Sequence, residues 1–175
     1  MQTETTFERL QSLLPEVFSS KRQTGELYLR FCLSSSLYAA VPLTRIVETL
    51  RLSTISITPI PNMPAYTLGL MGNRSQVFWV LDLAQRLNLT QGNKRIRHHN
   101  VVVVGLPDIT HQNPNSLLLG LSVQQIQTTL RLHPEEVNFE ADDIVPELQP
   151  YCQGWFKHQG EQTFLLNVDA LVSTD

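Results

Sequence analysis

Residues 46–52 read IVETLRL, and residues 126–132 read IQTTLRL. The pattern recurs at an offset of 80 positions (46 to 126). Two further matches follow in the same order. Pro64-Ala-Tyr66 with Gly69 resembles Pro150-Tyr151 with Gly154, the glycines 85 apart (69 to 154). Val80-Leu-Asp82-Leu83 resembles Asn167-Val-Asp169-Ala170, 87 apart (80 to 167). The offset grows only in loops, where insertions are tolerated. On this alignment Asn73 falls opposite Gly160, both in hairpins and both of a type that tolerates positive φ. Chance can supply one matching string. Three in order, ending at matched strand-to-helix corners, read as a duplicated barrel, and two copies are too few for a solenoid.

The pattern around these strings is that of short strands. Leu27, Leu29, Phe31 and Leu33 alternate with Tyr28, Arg30 and Cys32, the period of a strand with one buried face. Tyr38–Val41 and Ile46–Leu52 follow, then Pro59–Pro64, too proline-rich for a helix or a central strand. Residues 68–72 and 76–81 form a hairpin around Asn73-Arg74-Ser75, and Asp82 caps a brief helix over 83–87. Thr90–Arg97 is a polar connection. The second half gives strands over 101–106, 117–123 and 126–132, with a turn-rich loop over 107–116. Glu135–Pro146 reads as a solvated acidic loop. Residues 153–157 and 162–167 make a last hairpin, and Asp169 starts a closing helical turn. Many short strands at this spacing indicate an all-β barrel or sandwich.

The chain has 175 residues, 42% hydrophobic and 17% charged, a globular composition able to bury a core without staples. Net charge is −3, from 13 basic and 16 acidic residues. That balance gives no basic excess to neutralise phosphates, so nucleic acid is not an expected partner. A polybasic membrane patch is equally absent. The N-terminal MQTETTFERLQ lacks the basic-then-apolar order of a signal peptide, and no apolar run is long enough to span a bilayer. The chain therefore reads as cytoplasmic, and the triplets at Asn73 and Asn88 carry no glycosylation meaning. Cys32 and Cys152 read as buried free thiols. Before Glu26 stands a separate extension: a short helix opened by a Thr5/Glu8 capping box, interrupted at Pro15, then a linker over 19–25. It reads as a cap on the main fold, with a docking segment as the sharper alternative.

The chemistry of a catalyst is missing. None of the five histidines has the i, i+4 helical partner of a metalloprotease. Adjacent His98 and His99 point to opposite faces of a strand, which suits no single metal. There is no C-x-x-C pair, P-loop or G-x-G-x-x-G motif. Gly120-Leu-Ser122 begins like a nucleophile elbow but lacks the second glycine. Asp142 and Asp143 are paired carboxylates in an acidic loop, with nothing around them to split their pKa values. Capping accounts for Asp82 and Asp169. No catalytic residue, metal or cofactor is expected.

With strands, repeat and hairpin in place, the chain resembles the CheW-like family of chemotaxis coupling proteins. The resembling residues are Phe31–Leu33, Tyr38–Leu43, Ile46–Glu48, Pro61–Pro64 and the stretch GLMGNRSQVFWVLDL over 69–83. Val101–Val104, Leu119–Leu121, Ile126–Leu132, Pro150–Gly154 and Val168-Asp169 continue it, so the resemblance covers about Glu26 to Val172. It implies two SH3-like five-stranded barrels sharing a core, with short helices at the barrel ends. The domain would span 26–175, with halves near 26–97 and 98–175; whether these exchange strands stays open. It also implies an adaptor between a chemoreceptor tip and the regulatory domain of a CheA-type histidine kinase, recruited to membrane-associated receptor arrays and controlling taxis or pilus-driven motility.

Carried over residue by residue, the receptor contacts would be Arg74, Ile46 and Val101. The kinase contacts would be Ile46, Glu48, Leu50, Arg51 and Ile55. The family hairpin usually reads Asn-Leu-Arg-Gly; here it is Gly72-Asn73-Arg74-Ser75, so Gly72-Asn73 would have to supply the turn. The usual proline of the next strand is Trp79. The plain alternative for Ile46 and Leu50 is core packing: Val47 and Arg51 point the other way, so only one set can be buried. For Arg74 it is a solvated turn arginine. Two other function classes compete: a stand-alone barrel module binding another protein or peptide outside a kinase pathway, and a small enzyme using Asp142 and Asp143 or His98 and His99.

Overall fold

The computed structural model describes residues 24–74, 76–89, 96–106 and 117–172. The expected N-terminal helix, the 107–116 loop and most of the 90–97 connection lie outside these residues. Ten strands carry the fold: β1 Glu26–Ser34, β2 Leu37–Pro42, β3 Ile46–Ser53, β4 Thr67–Asn73, β5 Gln76–Asp82, β6 His98–Leu106, β7 Leu117–Val123, β8 Gln125–Leu132, β9 Cys152–His158 and β10 Glu161–Leu166. One short helix, α1 (Leu83–Arg86), follows β5, and Asp82 caps it by accepting from the Gln85 N–H at 3.1 Å. The acidic stretch after β8 is wound into 3₁₀ turns over Pro134–Glu136, Ala141–Asp143 and Pro146–Tyr151.

The strands form two five-stranded sheets, ordered β8-β1-β2-β10-β9 and β3-β6-β7-β5-β4. Each closes into an SH3-like barrel through one isolated bridge, Asn138 with Trp155 in the first and Thr58 with Leu70 in the second. The strands β3–β7 make a central barrel, contiguous in sequence. The strands β1, β2 and β8–β10 make a split barrel, drawn from both ends. The halves of the repeat, β1–β5 and β6–β10, thus trade their first two strands. Both closures need glycine, because backbone meets backbone there. A Cβ on Gly69 would sit 2.1 Å from the Thr58 carbonyl oxygen, and one on Gly154 would sit 2.8 Å from that of Asn138.

The trade explains the apolar runs. Val102 and Val104 of β6 enter a core shared between the barrels, together with Phe31, Leu33, Leu81, Leu119, Leu121, Phe164 and Leu166. Val101 and Val103 face the other way, into the central barrel with Leu52, Phe78 and Val80. A strand buried on both faces has no polar set to alternate with. The split barrel holds a smaller apolar interior of Ala40, Leu132, Phe156 and Leu165.

Two details of the repeat differ from the sequence alignment. The N–H of Asp82 donates to the Tyr66 carbonyl at 2.8 Å, and that of Asn167 donates to the Tyr151 carbonyl at 2.8 Å. Asp82 therefore corresponds to Asn167, not to Asp169. It is Asn167 whose side chain accepts from the Asp169 N–H, at 3.0 Å, so Asp169 is not the cap of its turn. In the hairpins the left-handed residues are Arg74 (φ 48°) opposite Gln159 (φ 52°), followed by Gly160 (φ 83°). Gly72 and Asn73 belong to β4 and do not make the turn.

Candidate functional site

Strand β3 shows which set of its side chains is core. Leu52 is buried, Ile46 packs against the shared core and Leu50 against the central-barrel core, while Val47, Thr49 and Arg51 are exposed. The β3–β6 ladder pairs Ile46 with Val104 and Glu48 with Val103, so Val47 is bulged out of register. It is 56% exposed, and Ile55, in the 3₁₀ turn Thr54–Ser56 beyond β3, is 94% exposed. Both leave large aliphatic side chains in solvent.

The β4–β5 hairpin lies beside this strand. Asn73 donates its side-chain N–H to Glu48 Oε1 at 2.6 Å, tying the hairpin tip to β3. Arg74 follows at the exposed tip and has no hydrogen-bond partner among the described residues. On the neighbouring face, β5 runs parallel to β7 with Trp79 beside Leu119, so two residues earlier Val77 and Leu117 fall side by side. Leu117 pairs in turn with Leu106 of β6. Val77 is 70% and Leu117 60% exposed, and Trp79 and Leu106 pack on the shared core. The face that forms the core between the barrels thus runs out into solvent as a row of Leu106, Leu117 and Val77.

The residues carried over from the family separate accordingly. Arg51, Ile55 and Arg74 are exposed, and Glu48 is half-buried and engaged by Asn73. Ile46 and Leu50 contribute mainly to packing. Val101 is fully buried inside the central barrel, paired with Leu50, so its side chain cannot meet a partner. Val47, Val77 and Leu117 are exposed aliphatic residues of these strands that sequence reasoning did not single out. For Val77 and Leu117 the signal was an aliphatic residue two positions from a core residue, which reads as core itself until the strand end is located, and for Val47 it was a bulge that the side-chain period does not disclose.

Elsewhere, titratable groups are absorbed by the fold. His99 is buried, within 2.9 Å of Ser122 Oγ, and burial pushes its pKa below the usual imidazole value while nearby Asp82 pulls the other way. His98 faces solvent. In the split barrel, buried Arg30 donates to Thr163 Oγ1 at 3.0 Å, to Gln127 and to Glu161 Oε2 at 2.7 Å, and stacks 3.8 Å over the Tyr38 ring. Hydrogen bonds from Arg30 and Tyr38 hold the Glu161 carboxyl below its ordinary range. Tyr28 is pushed up to about 12, first by burial and then by its bond to Glu26. Cys32 and Cys152 are free, and burial raises both thiols, which disfavours the reactive thiolate. Among the described residues no three His, Cys, Asp or Glu side chains converge to hold a metal ion, and no helix is long and apolar enough to cross a membrane.

Comparison with known proteins meets this architecture. The chain is similar to a chemotaxis protein CheW of Rhizobium meliloti (strain 1021), 23% identical over 118 residues, which is 67% of this chain and 70% of that protein. Its fold matches the crystal structure of the scaffolding protein TtCheW from Thermoanaerobacter tengcongensis, with a TM-score of 0.71 and 16% identity, covering 87% of this chain and 95% of that one. The CheW-like domain profile matches residues 27–175, so that both barrels and the core between them fall within it. The chain belongs to the CheW-like family.

Proposed function

We propose that this protein is a non-catalytic adaptor coupling a chemoreceptor of the methyl-accepting type to a CheA-type histidine kinase, in signalling that controls taxis or type IV pilus motility. The kinase regulatory domain docks on the exposed side of β3, at Val47, Arg51 and Ile55. The receptor tip docks at Arg74 and the apolar row Val77–Leu117–Leu106. The observation that carries this reading is the pair of exposed apolar surfaces on one barrel, joined by the Asn73–Glu48 hydrogen bond. Buried aliphatics at about 1–3 kcal/mol each are enough for a specific contact. Arg74 adds a planar donor fork able to hold a carboxylate at two points.

The test titrates the purified chain separately with a CheA-type regulatory domain and with a receptor cytoplasmic hairpin. Arg74→Glu weakens receptor binding by about 1–3 kcal/mol and spares kinase binding. Ile55→Asp does the reverse, by a similar amount. Variants that fold and bind both partners as before overturn the surface assignment. Recovery of other partners from cells, never with a kinase, overturns the adaptor reading in favour of a stand-alone binding module.

A further inference from the structure

The close-packed shared core sets the coarse arrangement of the two barrels, and side-chain contacts at its border can narrow it further. Two arginines make directional contacts there. Arg86, the last residue of α1, donates its Nε to the Leu171 carbonyl at 3.1 Å and its Nη1 to the Tyr151 hydroxyl at 2.5 Å. Its guanidinium carbon lies 4.8 Å from the Tyr151 ring centroid and 5.2 Å from that of Tyr66. Tyr66 and Tyr151 are equivalent residues of the two repeats, 85 positions apart (66 to 151), each with its carbonyl holding the end of the β5 or β10 strand. Position 86 itself corresponds to Leu171 at the same offset (86 to 171), so Arg86 binds the carbonyl of its own counterpart. The guanidinium therefore sits where the two repeats meet, bonded and stacked against both. Arg45, on the connection from the split to the central barrel, donates Nε to the Gly105 carbonyl at 3.1 Å and pairs with Asp169. The closing turn Asp169–Leu171 is thus gripped at its side chain by one arginine and at its backbone by the other.

We propose that Arg86 is a positioning residue that fixes the angle between the barrels, with Arg45 as the second point of the grip. A rigid planar fork between two rings admits one orientation, where leucine in its place would let the faces slide. The consequence for docking rests on the adaptor reading above: the apolar row borders the junction, so the pin also sets the shape offered to a receptor. The pin itself is independent of that reading, and the experiment uses the free chain alone.

Residual dipolar couplings of the full chain are fitted separately to the residues of each barrel. In the parent protein one alignment tensor describes both. In Arg86→Ala each barrel keeps its internal geometry, and a single tensor no longer fits the two. Tyr151→Phe, which removes only the hydroxyl that Arg86 holds, gives a smaller divergence in the same direction. A single tensor for folded Arg86→Ala overturns the proposal. So does an Arg86→Ala that fails to fold together with a single tensor for Tyr151→Phe, because Arg86 is then a stability contact only.

Discussion

Arg74 occupies the left-handed region at φ 48°, a conformation that strains any side chain with a Cβ and that asparagine accepts more readily. No side-chain hydrogen bond among the described residues calls for arginine there, and on the proposed docking reading the side chain is kept for the receptor. Arg74→Asn is expected to raise stability by about 0.5–1 kcal/mol in chemical denaturation while lowering receptor affinity. Loss of stability in that variant would show the turn to be unstrained. His99 gives a second residue-scale prediction. Burial lowers its pKa in the folded chain, so the unfolded chain takes up the proton first as pH falls. Its contribution is complete above the unfolded value of about 6.5 and is lost as pH drops from there toward the depressed folded value. His99→Gln keeps a polar partner for Ser122 and cannot titrate. Its stability should fall less steeply than the parent's between about pH 6.5 and 5, measured by denaturant titration across pH. Parallel slopes would mean the imidazole is solvated.

At the scale of elements, the two barrels differ most where their ladders are equivalent. Arg30 of β1 and Thr163 of β10 stand where the central barrel has Val103 and Phe78. Arg30→Ala should cost about 2–4 kcal/mol, at the lower side for a buried ion because Glu161 can turn to water. Arg30→Val with Thr163→Phe copies the central barrel and should recover most of that loss, since well-packed apolar residues replace buried ion networks at little cost. A double variant no better than Arg30→Ala would mean that the split barrel cannot close over an apolar filling. The same elements show what the sequence disclosed. IVETLRL and IQTTLRL were legible as equivalents because Leu52 and Leu132 fill matching barrel interiors and Arg51 and Arg131 match on the solvent side. The valine run at 101–104 gave no alternation, so nothing in it separated the shared core from the barrel interior, and Val101 was placed at a surface it does not reach. The strand trade was open for the same reason: side-chain period tells which face is buried, not which strand lies alongside. Arg74 and Ile55 were named through family resemblance and lie exposed, whereas the exposure of Val77 and Leu117 needed the strand ends to be located.

For the whole molecule, the largest core belongs to neither barrel alone. Removing one barrel would strip the other of the surface that covers Phe31, Val104 and Leu121. Thermal unfolding is therefore expected as one transition, with calorimetric and van't Hoff enthalpies equal. Two resolved transitions would show the barrels to be autonomous. The interleaved strand order bears also on how the chain is made. During synthesis the central barrel has all its strands once residue 123 has left the ribosome; β1 can find β8 almost at once, but β2 finds β10 only about 40 residues later, a delay of several seconds. Through that interval the earliest-made hairpin is a nascent half-orphan, apolar and open along its β2 edge, and chaperones that guard emerging polypeptides would have their longest claim on this protein there.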